Sequence, residues 1–256
     1  MSENPIQSAE RLFGVLEALA QEDSMSLTEL SETLRLHKST VHRLLKSLLC
    51  MGYAEQDPQT SHYRLTYKIL ALSSACYSKN RLINRVHPYL ESLSAQCHET
   101  VHFVKKSGHR LLYLDKVESH EYVYQMYSRI GIFNELYCCA SGKALLAVLS
   151  DEQIRELWPS LHAEARTPYT ITSLDAFLAE LQTVRENGYA HDRQESEMGL
   201  YSIGAAIPDF TGGTNYAVSI TAHISRITDI TLTRNIQLLK ETTSALSQEL
   251  GYQSLR

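Results

Sequence analysis

Val41, Leu44, Leu45, Leu48 and Leu49 recur at i, i+3, i+4, i+7 and i+8, which lays one apolar stripe along a helix and leaves its remaining surface polar. The stripe predicts a helix over residues 38–51, closed by Gly52 just past its C-terminus. Such a helix needs partners for its stripe, and they lie immediately upstream. Residues 6–21 read as an amphipathic helix with Ala9, Leu12, Phe13, Leu16, Leu19 and Ala20 on one face. Ser26 or Thr28 can cap a second helix that runs to Leu34 and buries Leu27, Leu30 and Leu34, before a turn at Arg35, Leu36 and His37. Residues 53–55 and 63–65 look like two short strands around the turn-rich segment 57–61. Three helices followed by a hairpin make a winged helix-turn-helix, assigned to residues 1–66.

The polar face of the third helix points to nucleic acid. Net charge over the whole chain is −5, but the segment from Thr33 to Ala54 holds no acidic residue. It carries Arg35, Lys38, Arg43 and Lys46, with His37 and His42 beside them. A local patch is what meets a phosphate backbone, so this asymmetry outweighs the sum. With the leucines turned inward, Ser39, Thr40, Arg43, Lys46 and Ser47 face outward, as the N-terminal half of a recognition helix requires. Arg43 offers a fork suited to guanine. Lys38 and Lys46 suit phosphates, and the hydroxyls at 39 and 40 permit close approach. In the hairpin, His62 and Arg64 are placed to touch the flanking backbone. One such domain reads few base pairs, so a two-fold homo-oligomer on a palindromic operator in double-stranded DNA is expected.

Beyond the hairpin, residues 67–77 form a mildly apolar helix, and with Ser78 and Asn80 the stretch 67–80 reads as a linker helix. The texture changes at Arg81. A helix over 82–97, with a start or kink near Pro88, precedes strand-like runs at 101–104, 111–117 and 122–127. Helices are expected at 142–149, 151–157 and 174–187, strands at 202–207 and 216–222 around the turn at 211–215, and a last helix at 229–250. The fold class is therefore α+β, with residues 81–252 as a second domain of sheet and helices. No run of eighteen uncharged apolar residues occurs and the N-terminus lacks the basic and apolar regions of a secretory signal. The five cysteines, at 50, 76, 97, 138 and 139, are odd in number and form no CxxC, so a reducing cytoplasm is expected.

A series of motifs then acquires a common meaning. Leu27-Thr28-Glu29-Leu30-Ser31, followed by Leu36-His37-Lys38-Ser39-Thr40-Val41-His42-Arg43-Leu44-Leu45, resembles the isocitrate-lyase-regulator (IclR) family of bacterial transcription factors. Later motifs agree in order and spacing: Glu99-Thr100-Val101-His102, Met126 to Gly131, Ala140-Ser141-Gly142-Lys143-Ala144, Glu186-Asn187-Gly188-Tyr189, and Asp192 with Glu195, Glu197 and Gly199. The resemblance covers essentially the whole chain. It implies a GAF-like effector domain with an antiparallel sheet, assembly as a dimer or dimer of dimers, and a small organic acid or sugar acid as effector. His42, within the same basic window, joins the expected DNA-contacting set.

The resemblance also implies an effector pocket. Its carboxylate subsite would be the loop and helix start at Ala140, Ser141 and Gly142, where backbone N–H groups favour an anion. Met126, Asp192, Ser202, Ser219 and Thr221 would complete the wall. Ser219 and Thr221 are two apart in a strand and so share a face. Ser202 stands where many relatives carry cysteine, and Pro208 lies two residues later than the usual family position. The expected function is a ligand-responsive repressor of a catabolic operon for a sugar acid or related carbohydrate. Regulation of aromatic-acid degradation, as activator or repressor, is the alternative. A rival reading makes the second domain an enzyme using Cys138 or Cys139 with a histidine. No base adjoins them in sequence, so no enzyme activity, cofactor or catalytic residue is expected. No metal is expected either, since His102, His191 and His223 show no ligand spacing.

Overall fold

The computed structural model describes residues 5–119, 126, 128–208 and 213–251. Its contacts divide the chain into two compact units, Met1–Asn80 and Arg81–Arg256.

The first unit begins with α1 (Gln7–Leu19), α2 (Leu27–Leu34) and α3 (Lys38–Cys50). Ser26 starts α2 through a reciprocal capping box. Its backbone N–H donates to Glu29 Oε2 at 2.7 Å and its hydroxyl accepts from the Glu29 N–H at 3.2 Å. Arg35 ends α2 in the left-handed region, with φ of 51°, which turns the chain sharply into α3. Val41, Leu45 and Leu48 of α3 pack with Leu30 of α2 and with Val15 and Leu19 of α1. The α1 stripe differs from expectation: Phe13 is 61% exposed and Ala20 is exposed, while Val15 is fully buried. The buried row is Leu12, Val15, Leu16 and Leu19, the i, i+3, i+4, i+7 set, and Phe13 lies about 100° around the helix from Leu12.

Gly52, with φ of +73°, releases α3 into the hairpin of β1 (Ala54–Gln56) and β2 (Tyr63–Leu65). Asp57 orders the hairpin turn by accepting from the Gln59 N–H at 2.7 Å. Met25 and Tyr63 exchange two backbone hydrogen bonds, which tie the wing to the segment before α2. The following helix, α4 (Lys68–Ser78), buries no residue; Tyr67, Leu70 and Leu72 are all exposed.

The second unit is a six-stranded antiparallel sheet in the order β5-β4-β3-β8-β7-β6. The strands are β3 (Thr100–Ser107), β4 (Arg110–Val117), β5 (Phe133–Glu135), β6 (Ala190–Arg193), β7 (Leu200–Ile207) and β8 (Tyr216–His223). One face packs on α5 (Arg81–Cys97) and α9 (Asp229–Glu249) through Phe103, Ile203, Val218, Ile220, Leu90 and Leu239. The other meets α6 (Ala140–Leu146), α7 (Asp151–Leu161) and α8 (Leu174–Asn187) through Val104, Leu111, Ala217, Leu145, Phe177 and Leu181. Alternation along β8 produces this split, with Val218 and Ile220 on one side and Ala217 on the other.

Several elements depart from the sequence reading. Helix α5 runs through Pro88, at the loss of one intrahelical hydrogen bond, and α7 continues through Pro159 to Leu161. The edge strands β5 and β6 were not anticipated; at three and four residues they carry no readable alternation. The expected strand at 122–127 lies, apart from Met126, outside the described residues.

The second unit hinges on two close approaches. A Cβ on Gly204 of β7 would stand 2.6 Å from the Ser141 nitrogen, and one on Gly142 would stand 2.2 Å from the Leu136 carbonyl oxygen. Helix α6 therefore rests directly on the sheet. Gly204→Ala is expected to force α6 off β7 and destabilise the protein by about 1–3 kcal/mol, the usual range for overpacking. Urea denaturation of the full chain followed by circular dichroism measures this, and an unchanged midpoint would contradict the contact.

Candidate functional site

On the first unit, α3 presents Lys38, Ser39, His42, Arg43, Lys46 and Ser47 to solvent, with Thr40 half-buried. No acidic residue lies in its first turn and no side chain caps its N-terminus, so its leading N–H groups remain available to an anion. The Ser47 hydroxyl turns back to the Arg43 carbonyl at 3.4 Å. In the wing, Glu55 and Arg64 face each other across the hairpin and form an ion pair at 2.6 Å. That pair is solvent-exposed and so weakly held. His62 Nδ1 lies 3.4 Å from the Ser24 hydroxyl.

The second unit contains a cavity of about 400 Å³ over the α6 face of the sheet. Its floor is a chain of hydroxyls and one imidazole. Ser202 Oγ lies 2.9 Å from Thr221 Oγ1, which lies 3.5 Å from His102 Nδ1; His102 Nε2 lies 2.8 Å from Ser128 Oγ. Strand register produces this row, since Ser202 is opposite Thr221 and His102 is opposite Ser219. Beside it, Tyr113 meets the His102 ring at 5.2 Å and accepts a hydrogen bond from Asn134 Nδ2 at 3.2 Å.

A bulge in the β3–β4 ladder decides which charged group approaches the floor. Phe103 pairs with Asp115 and Val104 with Tyr113, so Leu114 is passed over and the side-chain alternation of β4 reverses. Asp115 consequently turns to α5, where it meets His87 at 2.7 Å. Lys116 turns to the cavity side opposite His102, and its Nζ donates to the Ser128 carbonyl at 2.9 Å. Burial, reinforced by the Lys116 charge, pushes the His102 pKa down to about 3. His102 is a neutral imidazole at physiological pH.

Arg166 and Thr167 form one side of the mouth, and Ser196, Glu197 and Met198 the other. The two sides are joined: Thr167 Oγ1 donates to the Gln194 carbonyl and Thr170 Oγ1 to the Glu195 carbonyl, both at 2.7 Å. Asp192 anchors the second side from below. Its Oδ1 accepts from the Glu195 N–H at 2.7 Å and its Oδ2 from the Ser196 hydroxyl. Behind this loop Lys143 of α6 is fully buried, with Nζ 2.8 Å from Glu180 and 2.6 Å from Glu195. Burial holds the Asp192 and Glu195 carboxyls above the usual carboxylate range.

Of the residues that the family resemblance placed in a pocket, Met126, Ser202 and Thr221 line this cavity. Ala140, Ser141 and Gly142 are buried against β7 and Leu136 and do not line it. Asp192 spends both carboxylate oxygens on its own loop, and Ser219 lies buried on the floor strand outside the lining. Of the five tyrosines at 113, 122, 124, 127 and 137, which the sequence assigns mostly to half-buried strands with one or two at a pocket, Tyr113 lines the cavity; the lining residues His102, Ser128, Asn134, Arg166, Thr167, Ser196 and Glu197 are not among those the sequence assigns to a pocket. His102 had a legible signal, since it sits two before Val104 on the inward face of β3. Arg166 and Thr167 sit in an irregular loop with none.

Cys138 and Cys139 are buried ahead of α6, and Cys139 Sγ donates to the Glu135 carbonyl at 3.1 Å. Burial raises both thiols, Cys139 to about 12, opposite to what a nucleophile needs. Among the described residues no three His, Cys, Asp or Glu groups are arranged to hold a metal ion. His191 pairs with the Tyr201 hydroxyl at 2.7 Å and His223 with Ser225 at 2.8 Å. Tyr137 hydrogen-bonds the Glu164 carbonyl, while Tyr122, Tyr124 and Tyr127 lie outside the described residues.

Residues 8–58 match the IclR helix-turn-helix domain, and residues 74–248 match the bacterial transcriptional regulator IclR C-terminal domain. The HTH-type transcriptional regulator KdgR of Escherichia coli K12 is 32% identical over 247 residues, covering 96% of this chain and 94% of the relative. The DNA-binding transcriptional repressor YiaJ of the same organism is 36% identical over 228 residues, covering 88% of this chain and 81% of that one. Among solved structures, the Thermotoga maritima IclR crystal structure superposes with a TM-score of 0.75 at 28% identity, covering 96% of this chain and 99% of the other.

The neutral state of His102 has a stability consequence. Its folded pKa of about 3 lies below the ordinary 6.5. Its contribution is therefore full above pH 6.5 and is lost as pH falls from 6.5 toward 3, by up to about 1.4 kcal/mol per pH unit. Comparing the pH dependence of stability in wild type and His102→Gln isolates the effect from that of Asp192 and Glu195. The two curves are expected to converge below pH 6.5, and parallel curves would contradict a buried neutral imidazole.

Proposed function

The chain belongs to the IclR family of bacterial transcriptional regulators, and from that premise we propose that it represses a catabolic operon and responds to a sugar acid or related hydroxylated acid. The floor of the cavity carries this reading. Ser202, Thr221, Ser128 and the neutral His102 offer groups that donate or accept as needed, and this suits several ligand hydroxyls at once. An aromatic ring would offer this row of polar groups few hydrogen-bonding partners of its own. Repression is supported by the similarity to the repressor YiaJ.

In this reading the lining residues Met126, Ser202 and Thr221 contact the effector, and Ala140, Ser141, Gly142, Asp192 and Ser219 frame it. On the first unit Arg43 reads bases. Lys38, Ser39, Thr40, His42, Lys46 and Ser47 position the helix on phosphates and groove walls, and His62 with Arg64 flank it from the wing. Homo-oligomerisation on a palindromic operator is part of the proposal. The exposed Phe13, Tyr67, Leu70 and Leu72 supply apolar surface that the first unit does not cover itself. Among the described residues no helix is long and apolar enough to cross a membrane, and the proposed place of action is the cytoplasm.

The test is a gel-shift titration on DNA flanking the protein's own gene, at fixed salt, with and without a panel of sugar acids and aromatic acids. A specific shift released by a sugar acid is expected; release by an aromatic acid alone would overturn the effector class. Arg43→Ala is expected to weaken operator binding about tenfold or more and to relax sequence preference, consistent with about 1–3 kcal/mol for a bidentate contact. An unchanged affinity, in a variant that melts like wild type, would remove Arg43 from base readout.

A further inference from the structure

We propose that a second small-molecule site lies between the end of α5 and the start of α9, where Arg234 and Asn235 bind a small oxyanion, the carboxylate or phosphate group of a metabolite. It sits on the α5–α9 side of the sheet, apart from the cavity over the α6 face. The regulator reading neither needs this site nor fails with it.

The cavity there measures about 350 Å³, at the small end of the range for ligand clefts. The segment 97–99, between α5 and β3, forms one side. Thr231, Arg234 and Asn235 form the other, and their spacings of three and four place them on one face of α9. Arg226, from the turn after β8, completes the lining.

Asn235 marks the cavity as more than a packing defect. The buried residues of α9 are Asn235, Leu239, Thr243, Leu246 and Ser247, so position 235 belongs to the helix's core row. Thr243 and Ser247 are satisfied there. Thr243 Oγ1 donates to the Leu239 carbonyl at 2.9 Å, and Ser247 Oγ to the Pro208 carbonyl at 2.8 Å. Asn235 is only 6% exposed, yet its side-chain amide makes no hydrogen bond among the described residues. A buried amide without partners is unfavourable where an apolar side chain would fit, and a polar group entering the cavity would meet it.

The charges select an anion. Arg226 is neutralised by Glu99, with Nε donating to Oε1 at 2.9 Å and a second N–H donating to Oε2. Arg234 makes no ion pair among the described residues. Its Nη2 donates to the Gln96 carbonyl at 2.8 Å, which holds the guanidinium against the last turn of α5 and leaves further N–H groups to donate. Two guanidinium groups thus surround one carboxylate. The Cys97 thiol, pushed up to about 11 by burial, adds no negative charge at neutral pH. An oxyanion can accept from the Arg234 fork at the rim and from the Asn235 amide beneath it.

The experiment is calorimetric titration of the full-length protein, at fixed salt, with inorganic phosphate, lactate and uncharged lactamide. Wild type is expected to bind phosphate or lactate about tenfold or more tighter than lactamide. Phosphate alone would identify a phosphoryl ligand, and lactate alone a carboxylate metabolite. Arg234→Gln should weaken the preferred anion about tenfold or more, with Arg234→Lys retaining part of the affinity. Asn235→Leu should abolish binding while melting at or above the wild-type temperature, since a leucine suits the core row and leaves no amide unmet. Wild type that binds neither anion overturns the site, as does binding that persists in Arg234→Gln or in Asn235→Leu. A melting temperature for Asn235→Leu well below wild type would make the amide a structural group and also overturn it. Arg234 is exposed, so its variants report on binding in a folded chain.

Discussion

Lys143 carries its ammonium into a space closed to solvent, between Glu180 of α8 and Glu195 of the β6–β7 loop. Taking a charge out of water costs several kcal/mol, and only near-ideal geometry to opposite charges offsets it. The position of α6 relative to α8 and to that loop is thereby constrained to the few arrangements that keep both contacts. The two glycine approaches complete the constraint, because they allow the α6 backbone to touch β7 and the Leu136 carbonyl. Glu195 Oε2, buried without a hydrogen-bond partner among the described residues, marks where this packing leaves a polar group unmet.

The cavity depends on that bracket. Its mouth is one loop sewn to another by Thr167 and Thr170, and the second loop is held from below by Asp192 and from behind by Lys143 through Glu195. Asp192, which the family resemblance casts as a ligand contact, acts here as the support of the residues that form the rim. The bulge at Leu114 has a comparable indirect effect. It exchanges Asp115 for Lys116 on the cavity face, and the nearby positive charge helps to hold His102 neutral.

The DNA-binding unit rests on a simpler principle. The same α3 that buries Val41, Leu45 and Leu48 exposes Lys38, Arg43 and Lys46, so one helix both closes the core and presents a basic surface. Because the two faces share one rigid element, the basic residues are held in register by the core itself. Helix α4 lacks a buried face of its own, which is the pattern of an element completed by another surface.

The sequence alone determined whatever repeats at short range. The leucine period of α3, a cap for α2 at Ser26 or Thr28, the Gly52 stop and the hairpin turn are local, because helical and turn preferences act across only a few residues. The mixture of strand-like and helical stretches beyond Arg81 pointed to the α+β plan of the second unit, and the motif series from Leu27 to Gly199 supplied the family. Only the tertiary structure decided the buried row of α1, the passage of α5 through Pro88, the edge strands β5 and β6, and the lining of the cavity. His102 and Thr221 are 119 positions apart, and Arg166 faces Glu197 from a loop without periodicity. Such neighbours are set by strand register, by a bulge and by the depth at which a helix settles on a sheet. Each of these depends on the packing of the whole unit, and no window of sequence contains it.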